Sequence, residues 1–517
     1  YLAGNALANI LPTKGLIGKW LNPHSFNSKE HAAIIIMAHT ASTAAYATEV
    51  LAAQKLYYNV VPNSIVAMLL LISSQLIGYG IAGILRKSLV YPTKMVWPQV
   101  LPLCSLIETL HRKKSVLDKK YSFFWSIFCF ITVWELFPQY IMPVLTGVSI
   151  FCLANRRSVA FTNVFGGSNG NEGLGLLSFC LDWQYIGANP LFLPLITIFN
   201  SFIGYILCVA LFLGLYYGNV WNALNFPFLG QQLYSKESNS SHFVVYNQSQ
   251  ILDANYELNT TALEIQGLPF FTVTHVSYLV TTNMSIGAII VHLILWNREE
   301  MSDFFGSFYF PNLKKLVANL FPKAKIIFKT KSLSNVLVAE ELDPHYQKML
   351  AYHEVPQYWY TLIFIGSISV AMFCIYFLKS TLSWWCLLIS CMLSFFCTLF
   401  ISTLTGQLGF HLPISSIIQM IGGYLTPGKP IANMYFILFG SNTQAQALNL
   451  TASMKFAQYS KLSPRCTLTA QCLGATFGAI INYIIMSIIT TNKREILLST
   501  QGTNIWSGRA IQSFNSN

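Results

Sequence analysis

The stretch Tyr424-Leu-Thr-Pro-Gly-Lys-Pro-Ile-Ala-Asn433 places two prolines, a glycine and a lysine inside a long apolar run. Proline and glycine interrupt helices, so part of this backbone lacks intrahelical hydrogen bonds. Lipid cannot supply the missing partners, and such backbone at membrane depth therefore lies within protein or beside a water-filled cavity. The stretch predicts a broken helix at a substrate path. An ordinary Pro-Gly turn between two helices is the alternative.

The composition is that of a membrane protein. Of the 517 residues, 54% are hydrophobic and 10% are charged, whereas soluble domains have about 25% charged residues. We predict an all-α, polytopic protein with about ten crossings of the bilayer and two or three partial ones. The runs that predict crossings are 32–53, 64–84, 122–154 (long enough for two segments), 190–215, 271–296, 360–379, 384–405, 431–451 and 466–490, and the pieces typical of half-helices are 95–110 and 413–426.

The charges between the apolar runs predict the orientation in the membrane. The net charge is +12, and its lysines and arginines cluster in particular loops, as cytosolic loops do. The acidic segment 216–270 instead contains three N-glycosylation patterns, at Asn239, Asn247 and Asn259, and is predicted to lie outside or in a lumen. The basic charge therefore indicates membrane orientation rather than binding to nucleic acid.

These features divide the chain into regions. Because it begins without methionine in an apolar segment and ends in a polar one, we expect a fragment of a longer protein. The predicted regions are 1–21, a helix end and cytosolic connector; 22–215, a membrane bundle with a glycine-rich re-entrant region at 163–183; 216–270, an external loop; 271–296, a membrane helix; 297–357, a basic cytosolic loop; 358–491, a membrane bundle with a broken-helix region at 405–433; and 492–517, an external loop.

Motifs along the whole chain resemble those of the oligopeptide transporter family. Asn22-Pro-His-Ser-Phe-Asn-Ser-Lys-Glu-His31 is similar to the family's NPGPFNxKEH signature, with His24 and Ser25 in place of glycine and proline. Pro427-Gly-Lys-Pro-Ile-Ala-Asn433 and Lys461-Leu-Ser-Pro-Arg465 resemble two further family segments. The residues of the motif loops are Asn22, Pro23, Asn27, Lys29, Glu30, His31, Lys461, Pro464 and Arg465.

The resemblance implies a secondary active transporter that imports short oligopeptides or glutathione-like peptides with protons, by alternating access. Family members have about sixteen membrane segments, which implies that both ends of the protein lie outside this chain. The implied partners are a small peptide, protons and the lipid bilayer, with no cofactor, metal or nucleic acid. The fungal-type branch implies the plasma membrane of a eukaryotic cell, with an endosomal or vacuolar membrane as the alternative.

Several other functions are compatible with a polytopic membrane chain. A metal-chelate transporter of the related yellow stripe-like branch, a channel-like protein and a divergent protein without transport are the alternatives. An enzyme is not predicted, because the sequence contains no HExxH motif and no paired intramembrane aspartates. A nucleotide-driven pump is not predicted either, because no GxxxxGK[ST] loop is present.

Three residues are candidates for proton coupling, because a charge inside a membrane segment is expensive unless it is paired or hydrated. Glu49 lies within the 32–53 run, and an ion pair with Lys55 at a helix end is its structural alternative. Glu135 is either a second carrier or an interfacial residue. His411 has an unperturbed titration range near neutral pH, although a single histidine at a helix edge is more often a hydrogen-bonded structural residue.

Polar residues beside the two irregular regions are candidates for substrate binding. A half-helix predicted after the glycine-rich stretch would present amide groups to a substrate carboxylate, and a surface loop is the alternative. Neutral amides suit a peptide backbone because they donate and accept hydrogen bonds, and Lys429 either meets a carboxylate or extends to the interface. The candidates are Asn163, Asn169, Glu172, Asp182, Trp183, Gln407, Gln419, Lys429, Asn433, Asn442 and Gln446.

The chain also departs from the family pattern. Gln419 stands where the family commonly has an acidic residue, and Ser453-Met-Lys-Phe-Ala-Gln458-Tyr stands where the family has Asp-Leu-Lys-Leu-Gly-His-Tyr. Fewer groups can bind protons here, which favours a divergent member with altered substrate or coupling. Lys455, Lys461 and Arg465 are predicted to anchor the cytosolic end of a helix.

Overall fold

The computed structural model describes residues 1–13, 15, 18, 22, 24–43, 46–111, 118–155, 157–167, 173–187, 189–236, 243–254, 256–296, 343–378, 380–499, 506 and 508–516. Its regular secondary structure is almost entirely helical, as the composition predicts. The helices and strands are α1 (Leu2–Ile10), α2 (Ser28–Ser42), α3 (Tyr46–Tyr57), α4 (Ser64–Leu89), α5 (Leu101–His111), α6 (Asp118–Trp134), α7 (Ile150–Ala154), α8 (Val159–Phe165), α9 (Asn189–Phe192), α10 (Leu195–Tyr217), β1 (Tyr234–Lys236), β2 (Phe243–Val245), α11 (Thr260–Gln266), α12 (Val273–Trp296), α13 (Pro344–Met349), α14 (Gln357–Phe377), α15 (Trp384–Leu408), α16 (Ser415–Leu425), α17 (Pro430–Ile437), α18 (Thr443–Tyr459), α19 (Pro464–Asn492), α20 (Arg494–Leu498) and α21 (Arg509–Ser516).

Seven helices of the described residues are long and apolar enough to cross a membrane. They are α4, α10, α12, α14, α15, α19 and the segment Lys119–Ile141, in which α6 continues into a π-helical turn. The chain is therefore an integral membrane protein. Helices α10 and α12 and the segment Lys119–Ile141 expose most of their apolar side chains, which is typical of contact with lipid or with further membrane helices.

The predicted runs do not all form single crossings. Run 32–53 forms two helices, α2 and α3, with an interruption between Ser42 and Tyr46. Run 431–451 forms α17 and α18, joined by a π-helical turn over Leu438–Asn442. Run 122–154 gives one long helical segment rather than two, because proline removes a backbone donor and only short helices follow Pro143.

The centre of the helix bundle is α4, which packs against α14, α15, α18 and α19. Two of its glycines are needed for this packing. A Cβ atom added at Gly80 would lie 2.5 Å from the Cβ of Phe364, and one added at Gly78 would lie 2.6 Å from the carbonyl oxygen of Thr443. Since non-bonded atoms do not approach so closely, only glycine allows α14 and α18 to lie this near α4.

The two short apolar pieces form as predicted, whereas the segment after the glycine-rich stretch does not. The piece 413–426 forms α16, and the piece 95–110 forms a 3₁₀ turn followed by α5, as predicted for half-helices. The half-helix predicted after the glycine-rich stretch is wrong, because residues 173–183 are not helical. Their backbone pairs with another segment instead, through a β-bridge between Phe179 and Val148. Two candidates of this stretch, Asn169 and Glu172, lie outside the described residues.

Candidate functional site

The Pro-Gly stretch breaks a helix, as its sequence predicts. Helix α16 ends at Leu425 and α17 begins at Pro430, whose missing N–H is not needed at the first helical position. Between them Gly428 has φ +72°, a left-handed conformation that glycine adopts without a steric penalty. The position and the backbone conformation of this turn therefore follow from its own residues.

The segment 216–270 lies directly on this break. The Leu258 amide donates a hydrogen bond of 2.9 Å to the Gly428 carbonyl oxygen. Beside it, Lys429 Nζ lies 2.9 Å from Glu257 Oε1. Lys429 therefore faces a carboxylate of the loop. Its two predicted roles, binding a substrate carboxylate and extending to the membrane interface, stay predictions.

A cavity of about 270 Å³ lies between the loop and the break. Three of the predicted substrate residues line it: Gln419, Lys429 and Asn433. Asn433 Oδ1 is buried against Gly422 and has no hydrogen-bond partner in the described structure, so it remains available to a ligand donor. The site therefore combines one cation with neutral amide groups.

A second cavity, of about 260 Å³, adjoins the first. The two share lining residues from the end of α3, the loop and α21, namely Tyr58 (which directly follows α3), Leu233, Tyr246, Gln248, Leu252 and Asn515. Burial raises the pKa of the Tyr246 phenol, which stays neutral and donates to the Gly267 carbonyl oxygen at 2.9 Å. Together the cavities fall in the range of about 300–1,000 Å³ that is typical of small-ligand sites.

Deeper in the bundle lie Asn442 and Gln446, which are almost completely buried. Gln446 Nε2 donates to Asn442 Oδ1 at 3.3 Å, as expected for residues four apart on one helix face. The Tyr46 amide at the start of α3 lies 3.4 Å from the same oxygen. These two candidates therefore border the interruption between α2 and α3, not the cavity.

Glu49 lies in the first turn of α3 and is half-buried. A carboxylate is favourable there because the helix dipole is positive at its N-terminal end. The alternative ion pair with Lys55 is wrong: Lys55 Nζ donates to Ser487 O at 3.2 Å and to Thr491 Oγ1 at 2.6 Å. Glu49 therefore follows, on the same helix, the Tyr46 amide that donates to Asn442 Oδ1.

Three candidates, Glu135, Asp182 and Trp183, form a separate cluster. Glu135 Oε1 accepts a 3.0 Å hydrogen bond from the Trp183 amide. Asp182 is fully buried, with Oδ1 accepting from the Gln184 amide and Oδ2 from Gln139 Nε2. These bonds hold the non-helical segment in place, and none of the cluster is among the described residues that line the cavities.

Three further candidates lie apart from the cavities. Asn163 donates to the Tyr217 hydroxyl at 3.2 Å. Gln407 is near the end of α15, and His411 is exposed in the segment that follows. Neither Gln407 nor His411 is among the described cavity residues.

Lys455 is not the interfacial anchor that the sequence predicts. Its ammonium group is fully buried, 2.8 Å from Asp343 Oδ2, and donates to the Val90 carbonyl oxygen at 2.9 Å. Asp343 also caps α13, accepting from the His345 amide at 2.8 Å. The sequence reasoning missed Asp343, although an aspartate followed by proline is a recognisable helix start.

The motif loop at 22–31 contacts the segment that follows Asp343 and α13. Asn27 and Glu30 form a capping box at the start of α2, as the residue types predict. Lys29 Nζ donates to the Tyr352 hydroxyl at 2.7 Å, which joins the motif to the segment between α13 and α14. Of the other motif residues, Pro23 lies outside the described residues.

No group of three or more His, Cys, Asp or Glu side chains in the described ranges is arranged to hold a metal ion. The cysteines described are free, and Cys374, Cys386 and Cys391 are buried in the apolar core, where cysteine packs as a small apolar side chain.

Comparison with known proteins agrees with the motifs. The model of the OPT oligopeptide transporter protein family matches residues 1–517. The chain is 30% identical over 495 residues to oligopeptide transporter 1 of Arabidopsis thaliana, covering 92% of the chain and 61% of that protein. It is 28% identical over 537 residues to glutathione transporter 1 of Schizosaccharomyces pombe, covering 98% of the chain and 58% of that protein.

No solved structure matches the chain. The chain spans about 60% of the length of these curated relatives, 61% of the plant protein and 58% of the yeast protein. Because the family model covers it from end to end, the chain belongs to the oligopeptide transporter family.

Proposed function

We propose that the protein imports short oligopeptides or glutathione-like peptides by secondary active transport. The observation that carries this proposal is the cavity at the Pro-Gly break, which combines Lys429 with the amides of Gln419 and Asn433. A short peptide has a carboxylate that suits a lysine and backbone amides that suit neutral side-chain amides. The names of the relatives, an oligopeptide transporter and a glutathione transporter, support the same substrate class.

The geometry supports a binding step in which the substrate competes with the loop. Glu257 occupies Lys429, so a substrate carboxylate that reaches Lys429 replaces this partner. The loop then loses its ion pair with the break and keeps the Leu258–Gly428 hydrogen bond. Alternating access would follow from movement of the helices on either side of the break. These helices would move as rigid bodies, with little change in their internal structure.

We further propose that protonation of Glu49 couples transport to the proton gradient. It lies on the helix that begins at the buried amides around Asn442, and a charged carboxylate within a membrane segment is unfavourable. Protonation from outside would remove that charge before inward movement, and release inside would restore it. His411 and Glu135 are weaker choices because one is exposed and the other binds a backbone amide.

We place the protein in the plasma membrane of a eukaryotic cell, with the loop outside. Of the acceptor asparagines, Asn247 is exposed, and Asn259 uses Oδ1 to cap α11, whereas a glycan would modify Nδ2. Asn239 lies outside the described residues. An endosomal or vacuolar membrane is the alternative location.

Uptake into cells that lack their own peptide carriers tests the proposal. We expect saturable uptake of a labelled tetrapeptide and of labelled glutathione, each inhibited by the other. A metal chelate of the kind taken up by yellow stripe-like transporters serves as the comparison. Uptake of the chelate but of neither peptide, with the protein verified at the cell surface, would overturn the proposal in favour of metal-chelate transport, as in the yellow stripe-like branch.

Replacing Glu257 by glutamine is expected to improve the recognition of peptides with a free C-terminal carboxylate. The change removes the competitor for Lys429, and because both partners are partly exposed it should alter stability by less than about 1 kcal/mol. The measurement is the KM for a tetrapeptide and for its C-terminally amidated form. Only the free acid should show a lower KM, by about threefold.

Glu264→Gln is the matched control, since Glu264 is an exposed carboxylate on α11 of the same loop. An equal change of KM for the acid and the amide, or the same change in the control, would contradict the role given to Lys429.

A further inference from the structure

A third cavity, of about 50 Å³, lies at the C-terminal end of α4, and we name it the Arg86 cavity. Its walls are the end of α4, helix α13, the start of α14, the end of α18 and the motif loop 461–465. Arg86 lies about 33 Å along α4 from Ser64, because a helix rises about 1.5 Å per residue. The cavity is therefore far from the start of α4, which follows Tyr58 of the first two cavities.

Arg86 lines this cavity and has an unused donor. Its side chain is buried, with Nε donating to the Tyr91 hydroxyl at 3.0 Å and Nη2 to the Val355 carbonyl oxygen at 2.6 Å. Its guanidinium also lies over the ring of Tyr360, 4.8 Å from the ring centroid. Nη1 has no partner in the described structure. A buried charged donor is costly to leave unpaired, so Nη1 indicates an acceptor from outside the described chain.

Gln458 lines the same cavity and is also unpaired. Its side chain is 3% exposed, and neither Nε2 nor Oε1 has a hydrogen-bond partner in the described structure. Other buried amides of the described residues are unpaired as well, but Gln458 is the one among them that borders this cavity beside a cation. One bound group can therefore contact both Gln458 and Arg86.

The two side chains and the cavity volume define the chemistry of the ligand. A single water needs about 10–15 Å³, so the cavity has room for a group of a few heavy atoms. A carboxylate has acceptor oxygens for Arg86 Nη1 and Gln458 Nε2, and an arginine–carboxylate pair is among the stronger hydrogen-bonded pairs. In a peptide, the N–H beside the terminal carboxylate supplies a donor for Gln458 Oε1.

A carboxylate of the protein already lies near this cation. Glu354 Oε2 is 3.8 Å from Arg86 Nη2, which is too long for a hydrogen bond, and Glu354 Oε1 accepts from the Tyr346 hydroxyl at 2.6 Å. The Glu354 side chain is 37% exposed, so water can compensate its charge when another carboxylate approaches Arg86. A ligand at Nη1 therefore competes with Glu354, as a ligand at Lys429 competes with Glu257.

We propose that the Arg86 cavity is a second carboxylate site, which binds the C-terminal carboxylate of a peptide at the end of α4. The inference rests on the proposed function, because its ligand is the transported peptide. Each of the two sites then combines a cation, a competing carboxylate and an unpaired side-chain amide: Lys429, Glu257 and Asn433 at the Pro-Gly break, and Arg86, Glu354 and Gln458 here.

The test uses the purified Lys429→Gln protein, which lacks the cation at the Pro-Gly break. A remaining preference for a free carboxylate then comes from another site. The measurement is thermal stabilisation of the protein during titration with a tetrapeptide or with its C-terminally amidated form. We expect the free acid to bind about tenfold more tightly than the amide, because the amide lacks the charged partner of Arg86.

The second change, Gln458→Met in the same protein, removes two unpaired atoms and no described hydrogen bond. The ligand-free protein should therefore be at least as stable, while the free acid should bind about fivefold more weakly. Gln471→Met is the matched control. Gln471 of α19 is also buried with both amide atoms unpaired, but it is not among the described residues that line the cavity. This control should keep the preference for the free acid.

Glu354→Gln changes binding in the opposite direction. It keeps an acceptor for the Tyr346 hydroxyl and removes the competing charge, so the free acid should bind about threefold more tightly and the amide as before. A purely structural role of Glu354 gives no such gain. Where Gln458→Met does not fold, this variant decides, and an unchanged affinity for the acid overturns the site.

Acetate and inorganic phosphate test whether a free anion is the ligand instead. At the concentration of the tetrapeptide, neither is expected to stabilise the Lys429→Gln protein. Stabilisation by acetate or phosphate, with none by the tetrapeptide, would overturn the peptide as the ligand of the Arg86 cavity.

Uptake by the unmodified protein separates this inference from the proposed function. A preference for the acid that is lost in Gln458→Met, without any uptake, would support the site and overturn the proposed function. Uptake together with equal binding of acid and amide by Lys429→Gln, or equal losses in Gln458→Met and Gln471→Met, would overturn the site and support the function. A folded protein that binds neither peptide overturns both.

Discussion

Replacing Asp343 by asparagine is expected to lower the free energy of unfolding by about 3–5 kcal/mol, the usual effect of removing one partner from a buried ion pair. The reason is the position of Lys455, whose ammonium group is completely buried and lies 2.8 Å from Asp343 Oδ2. Its other described acceptor, the Val90 carbonyl oxygen, carries no full charge. Without the carboxylate, a cation remains in a poorly solvated site.

Thermal unfolding of the purified protein in detergent measures this effect. The control is Lys348→Gln, which changes an exposed charge on the adjacent helix α13 and should leave the unfolding temperature unchanged. The double variant Asp343→Leu with Lys455→Met should recover much of the lost stability, because no buried charge is left unpaired. Equal unfolding temperatures for Asp343→Asn and the unmodified protein would show that Lys455 is not dependent on this pair.

The second large effect is expected at Glu49. If its protonation is the step that couples transport to the proton gradient, Glu49→Gln fixes the side chain in a neutral form. Uptake in the unmodified protein should rise several-fold when the external medium is made acidic, and the variant should take up peptide at one rate under both conditions. The measurement is the ratio of initial uptake rates at acidic and neutral external pH.

Glu135→Gln is the control for that experiment, since Glu135 is a second carboxyl of the membrane region whose described bond is to a backbone amide. It should retain the pH ratio of the unmodified protein. A Glu49→Gln protein with normal pH dependence but reduced abundance would instead assign Glu49 a structural role at the start of α3.

The sequence predicts features that local residue types determine. The break at 424–433 follows from proline and glycine, whose effects on the backbone do not depend on the surrounding fold. The capping box of Asn27 and Glu30, and the shared face of Asn442 and Gln446, follow in the same way from short-range spacing. The structure contains the predicted break, and the cap and the shared helix face obey the same local rules.

The features that were missed depend on contacts between distant segments. The sequence after Ser42 contains no proline or glycine before Tyr46. The Thr43 carbonyl oxygen and the Tyr46 amide are bonded to Gln75 and Asn442, which come from distant parts of the chain. Lys455 and Asp343 are 112 residues apart in sequence. The apolar composition after the glycine-rich stretch predicts a half-helix, but residues 173–187 form turns and a single β-bridge between Phe179 and Val148.

Part of the candidate site was predictable, because some of its residues lie at one locally determined break. Gln419, Lys429 and Asn433 lie on either side of one local break, so their proximity follows from the break itself. The role of Glu257 does not, because it depends on the fold of the external loop over that break. Sequence hydropathy gives no information on which loop covers which cavity.

The measurement that most directly tests the central claim is peptide uptake by a protein whose cavity has been filled. A Cβ at Gly423 would lie 3.7 Å from Asn433 Nδ2, an ordinary contact, so Gly423→Leu extends into the cavity without displacing the backbone. Gly366→Leu, on a helical glycine of α14 with open space around it, is the matched control.

With both proteins present at the cell surface in equal amounts, we expect Gly423→Leu to take up a labelled tetrapeptide at least about tenfold more slowly, a difference of about 1.4 kcal/mol. The Gly366→Leu protein should match the original. Equal uptake by Gly423→Leu and Gly366→Leu would show that the peptide does not pass through the cavity at the Pro-Gly break.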